Sequence, residues 1–210
     1  MIPTKICGIT NLDDANVAVE NGASAIGFIF YEKSPRTISI NNAKSISKHL
    51  PKTIARVGVF VNHEKDFINE AISEVPLDMI QLHGDETPDF CNQFDVAILK
   101  ALRIKNEASL SVMDQYDVAV FLLDTFSNDQ YGGTGETFDW SVLNRKFKTP
   151  IILSGGLNSE NILDAIDAVN PSAVDVNSGV ESSPGKKDFN KLKLLFKNLN
   201  KTQSTGFQFG

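Results

Sequence analysis

The chain has 210 residues, 41% hydrophobic and 22% charged, with 26 acidic side chains against 20 basic ones and a formal net charge of −6. Folding at that length buries about 70% of the unfolded surface, enough for one domain whose core needs no covalent staples. The acidic balance argues against a nucleic-acid or anionic-membrane surface while still allowing a local cationic pocket for an anionic small molecule.

The first apolar run spans 3–7 and ends at Cys7, with Gly8 after it. Over Asn11–Asn21, Leu12, Ala15 and Val19 recur at i, i+3 and i+7; Asp13 and Asp14 occupy the first turn and Gly22 follows as a stop. This pattern predicts a helix. Apolar, β-branched runs return near 25–30, 54–61, 78–82, 95–100, 117–123, 149–153 and 173–177. Between them, 42–49, 64–74, 86–93, 106–115 and 139–146 are each long enough for a short helix. In Asn158–Val169, Ile162, Ala165, Ile166 and Val169 repeat the helical spacing, and Phe189, Leu192, Leu195, Phe196 and Leu199 mark a last amphipathic helix. Eight strands, each followed by a helical segment, predict a single-domain (β/α)8 TIM barrel over residues 1–200. An open doubly wound sheet would more usually stop at five or six strands. Residues 201–210, polar with two isolated Phe and no period, are expected to form a loose tail.

The two cysteines, Cys7 and Cys91, belong to no Cys-x-x-Cys pair and to no Cys/His spacing that would hold zinc. No basic-then-apolar leader opens the chain and no apolar run reaches the length of a membrane span. The expectation is a reduced, cytoplasmic protein.

A barrel of this kind carries its chemistry at the carboxyl ends of its strands. Residues two apart on a strand share a face, so Lys5 points with Cys7, and Asp175 with Asn177. Inward charges need partners or a ligand. Cys7 is either small buried filler or a functional thiol. Lys5 beside it is placed to lower the thiol pKa and raise the thiolate fraction. Cys91, on the proposed fourth helix, has no such company and reads as buried structure. Asp124 closes the most apolar strand; it is either a turn-initiating carboxylate or a general acid against apolar walls. Arg36 follows Ser34-Pro35 in a stiffened loop, where a guanidinium fork suits a carboxylate; the alternative is a solvated surface arginine. His83 reads as a hydrogen-bonding residue outside the catalytic set. Gly155-Gly156 and Ser178-Gly179, following strands 7 and 8, match a phosphate cradle built from backbone N–H groups. The Tyr131–Gly135 loop is either a substrate lid or a linker, and its neighbourhood favours the lid.

Taken in order, "KICGIT", "SPRTIS", "QLHGDE", "LLDT…GGTGETFDW", "LSGGL" and "VDVNSGVE" resemble the phosphoribosylanthranilate isomerase family of tryptophan biosynthesis, over nearly the whole chain from about Lys5 to about Leu199. The resemblance implies one (β/α)8 domain without cofactor or metal, acting on a small phosphosugar substrate and on neither nucleic acid nor membrane. It implies an Amadori rearrangement of N-(5-phosphoribosyl)anthranilate to 1-(2-carboxyphenylamino)-1-deoxyribulose 5-phosphate. Carried onto this chain, Cys7 is the general base and Asp124 the general acid. Arg36 binds the anthranilate carboxylate, Gly155, Gly156, Ser178 and Gly179 hold the phosphate, and Asp175 orients the substrate. Asn177 and Ser154 stand where the family more often has Ser and Ala. The alternatives are a related phosphosugar barrel, such as the histidine-pathway isomerase with an aspartate at the strand-1 position, or a silent phosphate-ligand-binding protein. The protein is expected to be a monomer or a homodimer.

Overall fold

Eight parallel strands close into a barrel in chain order: β1 (Thr4–Ile6), β2 (Ala25–Ile29), β3 (Ala55–Phe60), β4 (Met79–Leu82), β5 (Ala97–Ile104), β6 (Val120–Thr125), β7 (Ile151–Leu153) and β8 (Ala173–Val176). The computed structural model describes residues 1–125, 139–143 and 145–210. β1 pairs with both β2 and β8, so the sheet has no free edge. The helices are α1 (Leu12–Asn21), α2 (Ile40–Ser47), α3 (Lys65–Glu74), α4 (Pro88–Cys91), α5 (Ile162–Val169) and α6 (Phe189–Leu199). A two-stranded hairpin, β9 (Glu181–Ser183) and β10 (Lys186–Lys187), follows β8. The arrangement is the single-domain (β/α)8 TIM barrel that the strand-and-helix alternation predicts.

Local chemistry explains the helix ends. The Asn11 side chain accepts from the Asp14 N–H at 2.9 Å and caps the start of α1. Gly22 stops it in the left-handed conformation at φ 112°, with its N–H turned back to the last turn. Two segments depart from the helices expected of them. After β5 the chain makes only 3-10 turns, Glu107–Leu110 and Met113–Gln115, and after β6 only Trp140–Leu143 among the described residues. Strand β5 also runs on past Lys100 to Ile104 instead of stopping near 100. That ammonium is buried and satisfied by the Leu82 and Gly84 carbonyls at 3.2 and 2.8 Å and by Glu86 at 2.8 Å.

Two apolar layers result. The larger lies between strands and helices and takes Ile6, Phe28, Ile80, Phe121 and Leu153 from the strands and Ala15, Ile68, Ile162 and Leu192 from the helices. The smaller fills the barrel interior with Ala25, Ala55, Val57, Met79, Leu99, Ala101, Val120, Leu122, Ile152 and Ala173. Its many alanines leave space at the amino-terminal mouth of the barrel, and Phe209 fills it. The expectation of a loose tail is thus corrected. Phe209 is only 7% exposed and belongs to the interior cluster, with Phe207 packed edge-on at 5.1 Å between ring centres. Thr205 donates to the Ser172 carbonyl at 2.6 Å, and Thr202 accepts from the Ile2 N–H at 2.9 Å. The segment lacks a period because a single ring enters the barrel. Phe209→Ala should lower unfolding stability by about 3 kcal/mol, the low end for a buried Phe, since a terminal segment also opens locally. Urea denaturation measures this, and an unchanged midpoint would show that the plug contributes nothing.

Candidate active site

The carboxyl ends of the strands surround one open cleft. Cys7, Arg36, Asp124, Gly155, Gly156, Asp175 and Ser178 all line it. Gly179 does not line it. It backs the cradle instead: a Cβ built there would lie 2.0 Å from the Leu157 carbonyl oxygen, so the turns after β7 and β8 touch backbone to backbone. The Tyr131–Gly135 segment read as a lid lies outside the described residues.

Strand alternation puts Lys5 and Cys7 inside the barrel. Lys5 stands in register with Asp175 across the β1–β8 seam, and its Nζ donates to Asp175 Oδ1 at 2.8 Å. Ser154 Oγ lies 3.4 Å from the other Asp175 oxygen. Gly27 on β2 makes room for this group; a Cβ there would meet Cys7 Sγ at 2.7 Å and Lys5 Cε at 3.1 Å. Burial disfavours the Lys5 ammonium, but Asp175 and Cys7 outweigh it, so the ammonium is held above its ordinary pKa. The same burial pushes the Cys7 thiol up. Lys5 and Lys187 pull it down, but the balance is upward. The lowered thiol expected from Lys5 alone is therefore corrected: removing the sulfur from water outweighs the neighbouring cation. Cys91 is buried and its thiol is also raised, chiefly by burial.

Asp124 sits at the end of β6 and is almost fully buried. Its Oδ1 accepts from the Thr125 N–H at 2.8 Å. Its Oδ2 lies 3.2 Å from His83 Nε2, within ion-pair distance but without hydrogen-bond alignment. His83 Nδ1 in turn lies 2.7 Å from Gln81 Nε2. Gln81 and His83 therefore belong to the cleft lining, which the sequence reading of a lone histidine missed. The i, i+2 spacing of Gln81 and His83 on β4 carried that information.

The glycine turn after β7 is dictated by backbone geometry. Gly155 and Gly156 have φ of +87° and +64°, where a side chain is strained. A Cβ on Gly155 would also lie 2.6 Å from the Thr125 backbone nitrogen and 2.9 Å from Asp124 Oδ1. The turn thus presses directly on the strand end that carries Asp124.

Arg36 is neither solvated nor on the surface. Its Nε lies 3.0 Å from both oxygens of Glu181, and its Nη2 donates to Glu181 Oε2 at 2.8 Å. Glu181 Oε1 also accepts from Lys187 Nζ at 3.0 Å, and Lys187 Nζ reaches Asn177 Oδ1 at 3.0 Å. Burial pushes the Glu181 carboxyl up, but the Arg36 and Lys187 contacts prevail and hold it below the usual range. Burial dominates for Lys187 and lowers it. Neither Glu181 nor Lys187 stood out in the sequence, although both face the cleft's arginine across a single hairpin. Among the described residues, no group of three or more His, Cys, Asp and Glu side chains stands together as a metal site would require.

The cleft thus brings together a glycine turn, an arginine, a thiol and a carboxyl. Residues 4–198 match the family model for N-(5'-phosphoribosyl)anthranilate (PRA) isomerase. The N-(5'-phosphoribosyl)anthranilate isomerase of Pelobacter propionicus is 46% identical over 205 residues, covering 97% of this chain and 98% of that protein. The enzyme of that name from Thermotoga maritima is 47% identical over 203 residues, covering 94% and 98%. The crystal structure of phosphoribosyl anthranilate isomerase from Thermotoga maritima superposes with a TM-score of 0.89 at 44% identity, covering 96% of this chain and all of that one. A phosphoribosyl anthranilate isomerase crystallised in complex with reduced 1-(o-carboxyphenylamino)-1-deoxyribulose 5-phosphate superposes at 0.84 with 43% identity, covering 96% and 100%. The chain belongs to the N-(5'-phosphoribosyl)anthranilate isomerase family.

Proposed function

We propose that this chain isomerises N-(5'-phosphoribosyl)anthranilate to 1-(2-carboxyphenylamino)-1-deoxyribulose 5-phosphate, with Cys7 as base and Asp124 as acid. The observation that carries the reading is that these two residues, at the carboxyl ends of β1 and β6, line one cleft with a positive-φ glycine turn and an arginine. Gly155, Gly156 and Ser178 present backbone N–H groups to the phosphate, with Gly179 allowing the two turns to close together. Arg36 meets the anthranilate carboxylate with the part of its guanidinium not held by Glu181. Asp175 holds Lys5 with one oxygen and orients a sugar hydroxyl with the other. Asp124 protonates the ribose ring oxygen as the ring opens to a Schiff base. The Cys7 thiolate then removes the C2 proton, and the resulting enolamine relaxes to the aminoketone. Lys5, beside the sulfur in a water-poor pocket, stabilises the thiolate when it forms. We also place the protein in the cytoplasm, a reading that its two free, buried thiols support. The structural relatives include a protein described as dimeric, which supports testing for a homodimer beside a monomer.

Turnover of N-(5'-phosphoribosyl)anthranilate by the purified protein, followed by chromatography of the product, tests the reading. A folded protein that binds this substrate without converting it would favour the silent-binding alternative. Turnover of the histidine-pathway substrate alone would favour that isomerase; its aspartate at the strand-1 position is replaced here by Cys7.

The raised Cys7 thiol has its own consequence. A thiol with its pKa above the ordinary value is protonated at neutral pH, and its thiolate fraction grows about tenfold per pH unit until the pKa is passed. In the unliganded protein, alkylation of Cys7 by iodoacetamide should therefore keep rising between pH 7 and pH 9. The rate is the wild-type value less that of Cys7→Ala. A plateau below about pH 8.5, the free-cysteine value, would show that Lys5 overrides burial after all.

A further inference from the structure

The Arg36–Glu181–Lys187 cluster is more elaborate than an arginine carboxylate site requires. Glu181 lies three positions after Ser178, at the point where the phosphate turn after β8 becomes the β9–β10 hairpin. Its carboxylate takes three contacts from Arg36, one from Lys187 Nζ and one from the Gly185 N–H at 3.2 Å. Its own carbonyl accepts from Lys191 Nζ at 2.7 Å. The hairpin turn is fixed too, since the Gly185 carbonyl accepts from Thr10 Oγ1 at 2.6 Å. A Cβ on Gly185 would sit 3.3 Å from the Pro35 carbonyl, so the hairpin packs against the loop that carries Arg36.

We propose that Glu181 is a positioning residue that sets the span between the phosphate cradle and Arg36, and thereby the specificity for a phosphosugar carrying a carboxylate at a fixed distance. The inference rests on the assignment of Arg36 to the substrate carboxylate. The backbone of Glu181 continues the phosphate turn, while its side chain grips the guanidinium contributed by a loop 145 positions away in sequence. One residue thus joins the turn after β8 to the guanidinium of Arg36. By occupying Nε and Nη2, it also leaves Arg36 a single side, toward Nη1, from which a ligand carboxylate can approach. A bare carboxylate so close would repel that ligand. Lys187 offsets it, so the cluster stays cationic overall and Arg36 keeps its attraction for an anion.

A buried ion pair can also be mere structure, and removing one partner is destabilising in either case. The test therefore uses Glu181→Gln and the double variant Glu181→Gln/Lys187→Met, which restores the cluster's net formal charge and keeps it foldable. Three quantities are read beside a thermal melt: KM and kcat for N-(5'-phosphoribosyl)anthranilate, the same constants for an analogue lacking the carboxylate, and the inhibition constant of inorganic phosphate. For the intact substrate, KM should rise about tenfold or more with kcat changed less than about threefold. The analogue and inorganic phosphate should respond as they do in wild type, and the double variant should keep this pattern with its melt recovered. Equal losses for both substrates and for phosphate would show a structural role and overturn the proposal. An unchanged KM in the folded variants would overturn it as well. Arg36→Met separates the levels: if it handles the two substrates as wild type does, the carboxylate assignment fails and Glu181 falls with it. If Arg36→Met discriminates and Glu181→Gln does not, Glu181 alone is wrong.

Discussion

Asp124→Asn should fold, bind substrate nearly as wild type does, and lose turnover by roughly 10²-fold or more. Asparagine keeps an oxygen to accept from the Thr125 N–H, the 2.8 Å bond that fixes the turn. It also keeps the volume pressed against Gly155. What it lacks is an acidic proton. Ring opening leaves developing negative charge on the ribose oxygen, and only a proton donor relieves it. The measurement is steady-state kinetics beside a thermal melt. Near-normal kcat in a well-folded Asp124→Asn protein would remove the acid from the scheme and reduce Asp124 to a strand-end turn.

Cys7→Ala is expected to lose about 10²–10⁴-fold in kcat, the range typical of a general base. The fold should survive, because Ala fits the buried site and the Lys5–Asp175 bond does not involve the sulfur. Cys91→Ala provides the control. That thiol is also buried but belongs to α4, outside the cleft lining and near the Lys100–Glu86 pair. Its loss should lower the melt slightly and leave kcat alone. Equal kinetic losses in the two variants would mean that both cysteines act through packing, and the base would have to be sought elsewhere.

Much of this arrangement is legible in the residue order because barrels alternate strictly. Lys5, Cys7 and Asp175 follow from period-two spacing at strand ends, and the paired glycine turns follow from their place after strands 7 and 8. Other features escape a linear reading for physical reasons. The run of β5 past Lys100 escapes because the three buried acceptors of that ammonium, 14 to 18 positions away, are not visible in the sequence. Glu181 looks like an ordinary loop acid because Arg36 is 145 positions off. The Cys7 thiol goes the wrong way because a sequence displays the neighbouring cation but not the depth of burial. The two rings of 201–210 carry no period, so nothing local says that Phe209 enters the barrel.

The β1–β8 seam also bears on how the protein is made. Lys5 is buried at 0% exposure and its counter-ion is Asp175, 170 positions later. At about 5–20 residues per second, a ribosome takes roughly 10–30 s to deliver that aspartate after the lysine has emerged. Until β8 is made, β1 lacks its partner on that side and Lys5 lacks its counter-ion. An inward-pointing charge of this kind disfavours pairing of an exposed strand edge with another chain. The barrel can close only when β8 arrives, so closure is a post-translational or very late co-translational event, and Phe209 can plug the barrel only after that.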